Sequence, residues 1–413
     1  MKTGKKTQLD LDAGLSDIQR ARDVLKKYIQ QTPLVYNQWL SETYDCQVYL
    51  KLENMHPIGS FKIRGATYKI STLSAEEKKL GVITASAGNH AQGVAWGSKK
   101  LNVSALIIMP RHAPLVKVAN TKALGAEVQL HGDCYDDAYD TAKAMAKETG
   151  RIFIPAFEDK NIIAGQGTIG LELAEQADKI DFVIGSVGGG GLMAGVSAAI
   201  QALQPQVKIV ACQALGSPSM IESIKLKKAI RLPSTETFAD GIAVAQASEG
   251  IRKILSERVD QWIEIDEDSI AESVLTLLEK AKILVEGAGA LPLAALNQTR
   301  NQIKGKKVVL IISGGNIDVN VLSRIIDLGL VRTGRRLRIN VLIPDRPGSL
   351  SRLTDLIGKQ EANILQAIHD RNEPFTKLDQ TEVALTLETR GPEHSASIIK
   401  VLKNHVLRLE LGR

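Results

Sequence analysis

Residues 182–203, FVIGSVGGGGLMAGVSAAIQAL, carry no charge over 22 residues and hold six glycines. Four glycines in a row make a poor membrane helix, because glycine gains too much freedom outside it. The run divides better into a buried strand, a glycine loop and a helix that is apolar all round. A strand and a helix that are both buried need cover on two faces. That is the situation of a parallel sheet in an α/β protein.

The same unit recurs through residues 16–325. VYLKLE (48–53), VITA (82–85), VSALIIM (103–109), EVQL (127–130), IFIPAF (152–157), DFVIGSV (181–187), VKIVACQ (207–213) and VVLIIS (308–313) are apolar strand patterns with helical patterns between them. Ser16 and Gln19 have capping-box spacing and predict the start of the first helix, which Pro33 bounds. Ser60 predicts the N-cap of a helix beginning FKIRGA, a further helix starts from Asn89, and Gly125 and Gly150 predict helix ends. The class is α/β, with parallel sheet buried on both faces. Near residue 330 the rhythm changes. GLVRTGRRLR (329–338) is basic and contains glycine, which predicts a linker. Beyond it the order strand–helix–strand–strand–helix–strand predicts a ferredoxin-like βαββαβ domain.

The net charge of +6 says little about partners. Lys2, Lys5 and Lys6 supply three charges, residues 335–413 supply three more, and 8–334 are neutral. No basic face is implied, and aromatic residues at 4% are too few for a base-stacking platform, so no nucleic-acid partner is expected. Cys46, Cys134 and Cys212 lie far apart and are odd in number. That spacing argues for a reducing compartment and against disulfides or zinc. The N-terminal lysines are followed by no apolar segment. A cytoplasmic protein that does not engage a membrane is expected.

Four short runs could carry chemistry. Lys62 falls in the first turn of the FKIRGA helix, where the helix dipole disfavours a cation and favours a neutral, nucleophilic amine. An exposed surface lysine is the commoner alternative. Ser86, Ala87, Gly88, Asn89 and His90 follow a strand and open a helix, where backbone N–H groups suit a carboxylate. An ordinary cap after a glycine turn explains the same pattern. Gly188, Gly189, Gly190 and Gly191 can curl N–H groups round a phosphate at a helix start, but match neither GxGxxG nor a Walker loop. Ser313, Gly314, Gly315 and Asn316 end the VVLII strand and alone are no more than a turn. The seven histidines show no metal-ligand spacing, and no metal site is expected.

Together, GSFKIRGA, TASAGNHAQG, GGGGL, EGAGA (286–290) and SGGN resemble, in order and spacing, the fold-type-II pyridoxal-phosphate enzymes and among them the threonine ammonia-lyases, over residues 15–325. The resemblance implies a two-lobed, tryptophan synthase β-like catalytic domain over 1–330, its small lobe of 50–160 inserted in the large one. It implies pyridoxal 5'-phosphate held covalently by Lys62 next to Phe61. Gly188, Gly189, Gly190, Gly191 and Leu192 would cradle its phosphate, Asn89 would meet its phenolic oxygen, and Ser313 its pyridine nitrogen. Ser86, Ala87, Gly88, Asn89 and His90 would receive the carboxylate of a small amino-acid substrate. Lys62, once freed, would take the α-proton as general base. The β-hydroxyl would leave, protonated by the cofactor phosphate, and L-threonine would become 2-oxobutanoate and ammonia, with L-serine giving pyruvate. A neutral hydroxyl at Ser313 would leave the ring a weaker electron sink, which suits elimination.

Two departures matter. Serine racemases carry a serine where this chain has Ala87, so little racemisation is expected. Their divalent-metal site has acidic residues, whereas QALGSPS (213–219) has none. A monovalent cation held by carbonyls stays compatible with that run. The last segment, after a linker at 331–337, resembles an ACT domain at 338–413. Arg346, Gly348, Ser349 and Leu350 at the first strand–helix junction, with Asn363, would line an amino-acid effector site. Isoleucine is the first candidate effector, ahead of valine and AMP, and a homodimer or homotetramer is expected. Competing readings are a serine racemase or serine dehydratase of the same fold, a non-catalytic amino-acid sensor, and a dinucleotide oxidoreductase, which the missing GxGxxG disfavours.

Overall fold

A computed structural model describes residues 10–371 and 377–412. The lysine-bearing tail lies outside the described residues. The chain divides after Ile317 into two units.

The first unit holds two sheets. The larger has six strands: β1 (Leu34–Tyr36), β2 (Gln47–Leu52), β10 (Lys307–Ile312), β7 (Phe182–Ser186), β8 (Lys208–Ala214) and β9 (Gln261–Ile265), in that spatial order. Only β1 is antiparallel to its neighbour. The smaller sheet is parallel throughout, in the order β5 (Glu127–Leu130), β4 (Ala105–Met109), β3 (Val82–Ala85), β6 (Ile152–Phe153).

The apolar strands are buried on both faces as expected. In β3 and β4, Val82, Ile107 and Met109 join a core that includes Ala66, Ile70 and Val94 of two helices. Their neighbours Ile83, Leu106 and Ile108 join another, with Ala138 and Ala142 of the helix Tyr135–Thr149. Successive side chains of a strand point to opposite faces, so each face needs its own helical cover.

The second unit opens with the helix Val319–Arg332. Only 333–335 lie outside regular structure before β11 (Arg336–Pro344), within the stretch expected to be a linker. Then come the helix Ser349–Lys359, β12 (Asn363–Asp370), β13 (Gln380–Glu388), the helix Pro392–Lys403 and β14 (Arg408–Leu411). The sheet is antiparallel, ordered β12-β13-β11-β14. This is the ferredoxin-like βαββαβ arrangement. Leu337, Ile339, Val341, Ile343, Val383 and Leu385 face the two helices.

Three local expectations are corrected. The first helix is Leu15–Leu25, and Asp17, not a Ser16–Gln19 box, closes its start by accepting the Gly14 N–H at 3.1 Å. Extended backbone at Gly14 places Ser16 already inside the helix. Ser60 is no N-cap. Its backbone bridges Gly314, so the helix begins at Lys62 with Phe61 before it. IFIPAF keeps only Ile152–Phe153 as strand, since Pro155 has no N–H to give a ladder.

Candidate active site

The site lies where both sheets present their strand ends. After β10, residues 313–316 run beside 59–61. Phe61 N–H donates to Ser313 O at 3.0 Å and Gly315 N–H to Gly59 O at 2.9 Å. This pairing sets the first residue of the helix Lys62–Ser71 next to the buried Ser313. Lys62 Nζ donates to Ala156 O at 3.1 Å and lies 5.2 Å from the Phe61 ring centre. Burial lowers the Lys62 pKa to about 8, against the opposing pull of Glu286. About a tenth of the amine is therefore neutral at pH 7, far more than for an ordinary lysine, and the neutral form is what a nucleophile or base requires.

The glycine run connects β7 to the helix Gly191–Leu203. A Cβ on Gly189 would stand 2.2 Å from the Phe157 ring, and one on Gly188 2.9 Å from the Ile242 backbone. Gly190 has φ +87°, which side chains rarely adopt. Bare backbone is thus enforced at the start of a helix whose first amides have no partner within the helix. Such a run can cradle a phosphate, and Lys62 Nζ sits on Ala156 O, next to the Phe157 that packs on Gly189, so the residues fit pyridoxal phosphate. Gly189→Ala is expected to cost about 1–3 kcal/mol of packing at the cradle. It should show as a weaker cofactor dissociation constant, measured by absorbance titration, with the fold retained.

Ser86, Ala87 and Gly88 form the turn between β3 and the helix Asn89–Lys100, and Gly88, not Asn89, is the cap. Ser86 Oγ accepts the Gly88 N–H at 3.1 Å, which tightens the loop. Asn89 is therefore free to use its amide elsewhere. Its Nδ2 donates to Glu286 Oε1 at 2.8 Å and its Oδ1 accepts from Asn316 at 2.6 Å. His90 is buried and its Nε2 lies 3.0 Å from Ile154 O. Burial and Lys62 push its pKa to about 3, so the ring is neutral and carries its proton on Nε2. Its side chain is spent on the small sheet, and what it can offer a carboxylate is its backbone N–H.

Sequence reasoning missed four residues here. Glu286 stood unnoticed within EGAGA. Its carboxyl is buried against Gly314, and burial with Asp240 raises its pKa to about 7. Asn316 was named in SGGN but given no role, and Ala156 and Phe157 were passed over. The one available signal was an acid placed directly before an apolar helix, GAGALPLAAL.

In the second unit, Arg346 is exposed and Gly348, at φ +83°, caps the helix Ser349–Lys359 just beyond β11. Asn363 does not join them. It pairs with Glu388, which pairs in turn with Arg336, at the opposite end of the sheet from Pro344.

A family model described as pyridoxal-phosphate dependent enzyme matches residues 25–314. An L-threonine ammonia-lyase of Thermotoga maritima is 44% identical over 388 residues, 94% of this chain and 96% of that protein. The processed form of threonine deaminase isoform 2 from Solanum lycopersicum superposes with a TM-score of 0.73 at 36% identity, covering 76% of this chain and 92% of that one. Maize serine racemase gives the same TM-score of 0.73 at 32% identity, over 78% of this chain and 99% of its own.

Proposed function

We propose that this chain, which belongs to the pyridoxal-phosphate dependent enzyme family, deaminates L-threonine to 2-oxobutanoate and ammonia. The observation that carries the reading is Lys62, half-buried, with its pKa lowered, and set in one crevice with Asn89 and Ser313. The cofactor, when bound, withdraws electrons from Cα and makes its proton removable. The rest falls to the protein. The backbone of 86–90 receives the substrate carboxylate at a helix N-terminus. Lys62 would hold the cofactor and, as the neutral amine, would take the α-proton. The Cβ–O bond then breaks, and the proton taken from Cα balances the one that lets hydroxide leave as water. The released enamine tautomerises, and hydrolysis with one water yields the keto acid and ammonia. L-serine, lacking only the methyl group, is expected to give pyruvate. The test is 2-oxobutanoate release from L-threonine by the purified holoenzyme. No keto acid from either substrate sinks the assignment.

Racemisation needs a second proton donor on the far face of Cα. Ala87 has none, and Ser86 Oγ is turned to the Gly88 amide. D-serine is therefore expected not to accumulate while pyruvate forms, as chiral chromatography would show.

The second unit supports a sensor role by its ferredoxin-like order and the helix start at Gly348. An effector acts only if it binds two states unequally. L-isoleucine is expected to lower activity at subsaturating L-threonine. A flat titration with isoleucine, valine and AMP would remove that role. Assembly as a homodimer or homotetramer and a cytoplasmic setting complete the reading. Cys46 and Cys212 are buried free thiols, and no described helix is long and apolar enough to cross a membrane.

A further inference from the structure

The amides at the base of the crevice run in one direction. Ile58 O is a carbonyl and can only accept. Asn316 must therefore turn its Nδ2 toward it, 2.7 Å away. The same Nδ2 lies 2.6 Å from Asn89 Oδ1, so the carbonyl end of Asn89 faces Asn316. The Nδ2 end then faces Glu286 Oε1 at 2.8 Å. An asparagine amide is otherwise close to symmetric in shape and free to reverse. Here a backbone carbonyl, one side chain removed, decides its orientation. The anchor is itself held, since a Cβ on Gly59 (φ +70°) would stand 2.5 Å from Asn316 Oδ1. Only bare backbone leaves room for the Asn316 amide there.

We propose that Asn316, with Glu286, is a positioning residue that locks Asn89 so that it presents N–H, and not C=O, to the phenolic oxygen of the cofactor. This rests on the assignment of Asn89 to that oxygen. The count of groups supports it. Asn316 fixes Oδ1 on its own side by filling one of its lone pairs, Glu286 takes one Nδ2 hydrogen, and one N–H remains. A donor at the phenolic oxygen stabilises its ionised form and lowers the pH at which it titrates, whereas an acceptor does the opposite. Glu286 can accept from Asn89 whether or not it is ionised. The charged groups that face it are Asp240, which raises its pKa, and Lys117 and Lys62, which lower it.

The test is a pH titration of the visible cofactor absorbance in purified holoenzyme. Asn316→Asp replaces the donor with a carboxylate, so Ile58 O and Asn89 Oδ1 both meet an acceptor and Asn89 loses its lock. Its titration midpoint is expected to rise by about one unit. Asn316→Ala removes the anchor with a smaller side chain and carries the test if the aspartate variant does not fold. It should shift the same way, with kcat lowered more than KM for L-threonine. Asn89→Ala sets the full effect. If both Asn316 variants titrate like the wild type while Asn89→Ala shifts, the lock is refuted and the catalytic reading stands. An unshifted Asn89→Ala also refutes the lock. If Lys62→Ala in addition keeps the lysine-bound visible band, the catalytic reading falls with it.

Discussion

Lys62→Ala is expected to abolish L-threonine turnover, by about 10⁴-fold or more, and to remove the visible band of covalently held cofactor. Both losses follow from one amine. The side chain that binds the cofactor is also the group that removes the α-proton, so its deletion takes away anchorage and general base together. Lys62→Arg is expected to be no better, because a guanidinium stays charged and cannot serve as either. The loss will not come from unfolding. Burial lowers the Lys62 pKa from its ordinary value to about 8. The unfolded chain therefore binds the proton more tightly than the folded one, and this group disfavours folding below about pH 8, a cost relieved as pH rises toward its unfolded value. Cofactor-free Lys62→Ala should then melt no lower than the cofactor-free wild type at pH 7. Differential scanning fluorimetry beside the keto-acid assay separates the two effects. Turnover within tenfold of wild type would end the assignment of Lys62.

Arg64→Met is expected to cost about 3–5 kcal/mol of folding stability, the range for removing one partner of a buried ion pair. Arg64 is the centre of a closed network. Its Nε donates to Glu53 Oε2 at 2.7 Å, its Nη1 to Glu172 Oε1 at 2.6 Å, and its Nη2 to Glu53 Oε1 at 2.8 Å. Lys51 Nζ bonds Thr32 O at 2.8 Å and pairs with Glu172. The side chains of Arg64, Glu53 and Lys51 are 2%, 0% and 0% exposed, so water cannot replace a lost partner. Without the guanidinium, two carboxylates face a single lysine. Burial tends to raise the Glu53 pKa, but Arg64 and His56 outweigh it and hold the carboxyl well below the usual range. Its stabilising share is thus full above the unfolded glutamate pKa and is lost only as pH falls through the lower folded value. In Arg64→Met the Glu53 pKa is no longer held down by the guanidinium, and its carboxyl can neutralise itself by taking a proton. The deficit should be largest near pH 7 and shrink toward pH 4.5. Urea unfolding of wild type and variant at both pH values reads it. A deficit that does not depend on pH would mean the loss is one of packing rather than charge. Arg64 also ties the end of β2, through Glu53, to the helix Lys62–Ser71. It stands two residues past Lys62 on that helix, so kcat should fall as well.

Much of the fold was legible because it is written as apolar runs. β3, β4, β7 and β10 are continuous hydrophobic segments, and a strand buried on both faces leaves that mark wherever it lies. β1 and β9 went unread. Both are edge strands of the large sheet, only partly buried, and edges need no such run. In the site, Lys62, the glycines at 188–191 and the turn at 86–90 were legible because each is a local motif beside a helix start.

Glu286 and Asn316 were not legible as partners of Asn89. They lie 197 and 227 residues away along the chain, and nothing local in either sequence announces the contact. Arg64 and Glu53 were unreadable for a related reason. Charged residues are ordinarily exposed, and only the closure of helix against sheet makes these two bury one another. Local sequence was enough for the layers, the order of the buried strands and of the helices between them, and the residue types on which chemistry could rest, since periodicity and glycine act through neighbours. Which charges are buried, which way the Asn89 amide points and how far the Lys62 pKa falls came from the tertiary fold alone. Those depend on desolvation and on hydrogen bonds between segments that meet only once the chain has closed.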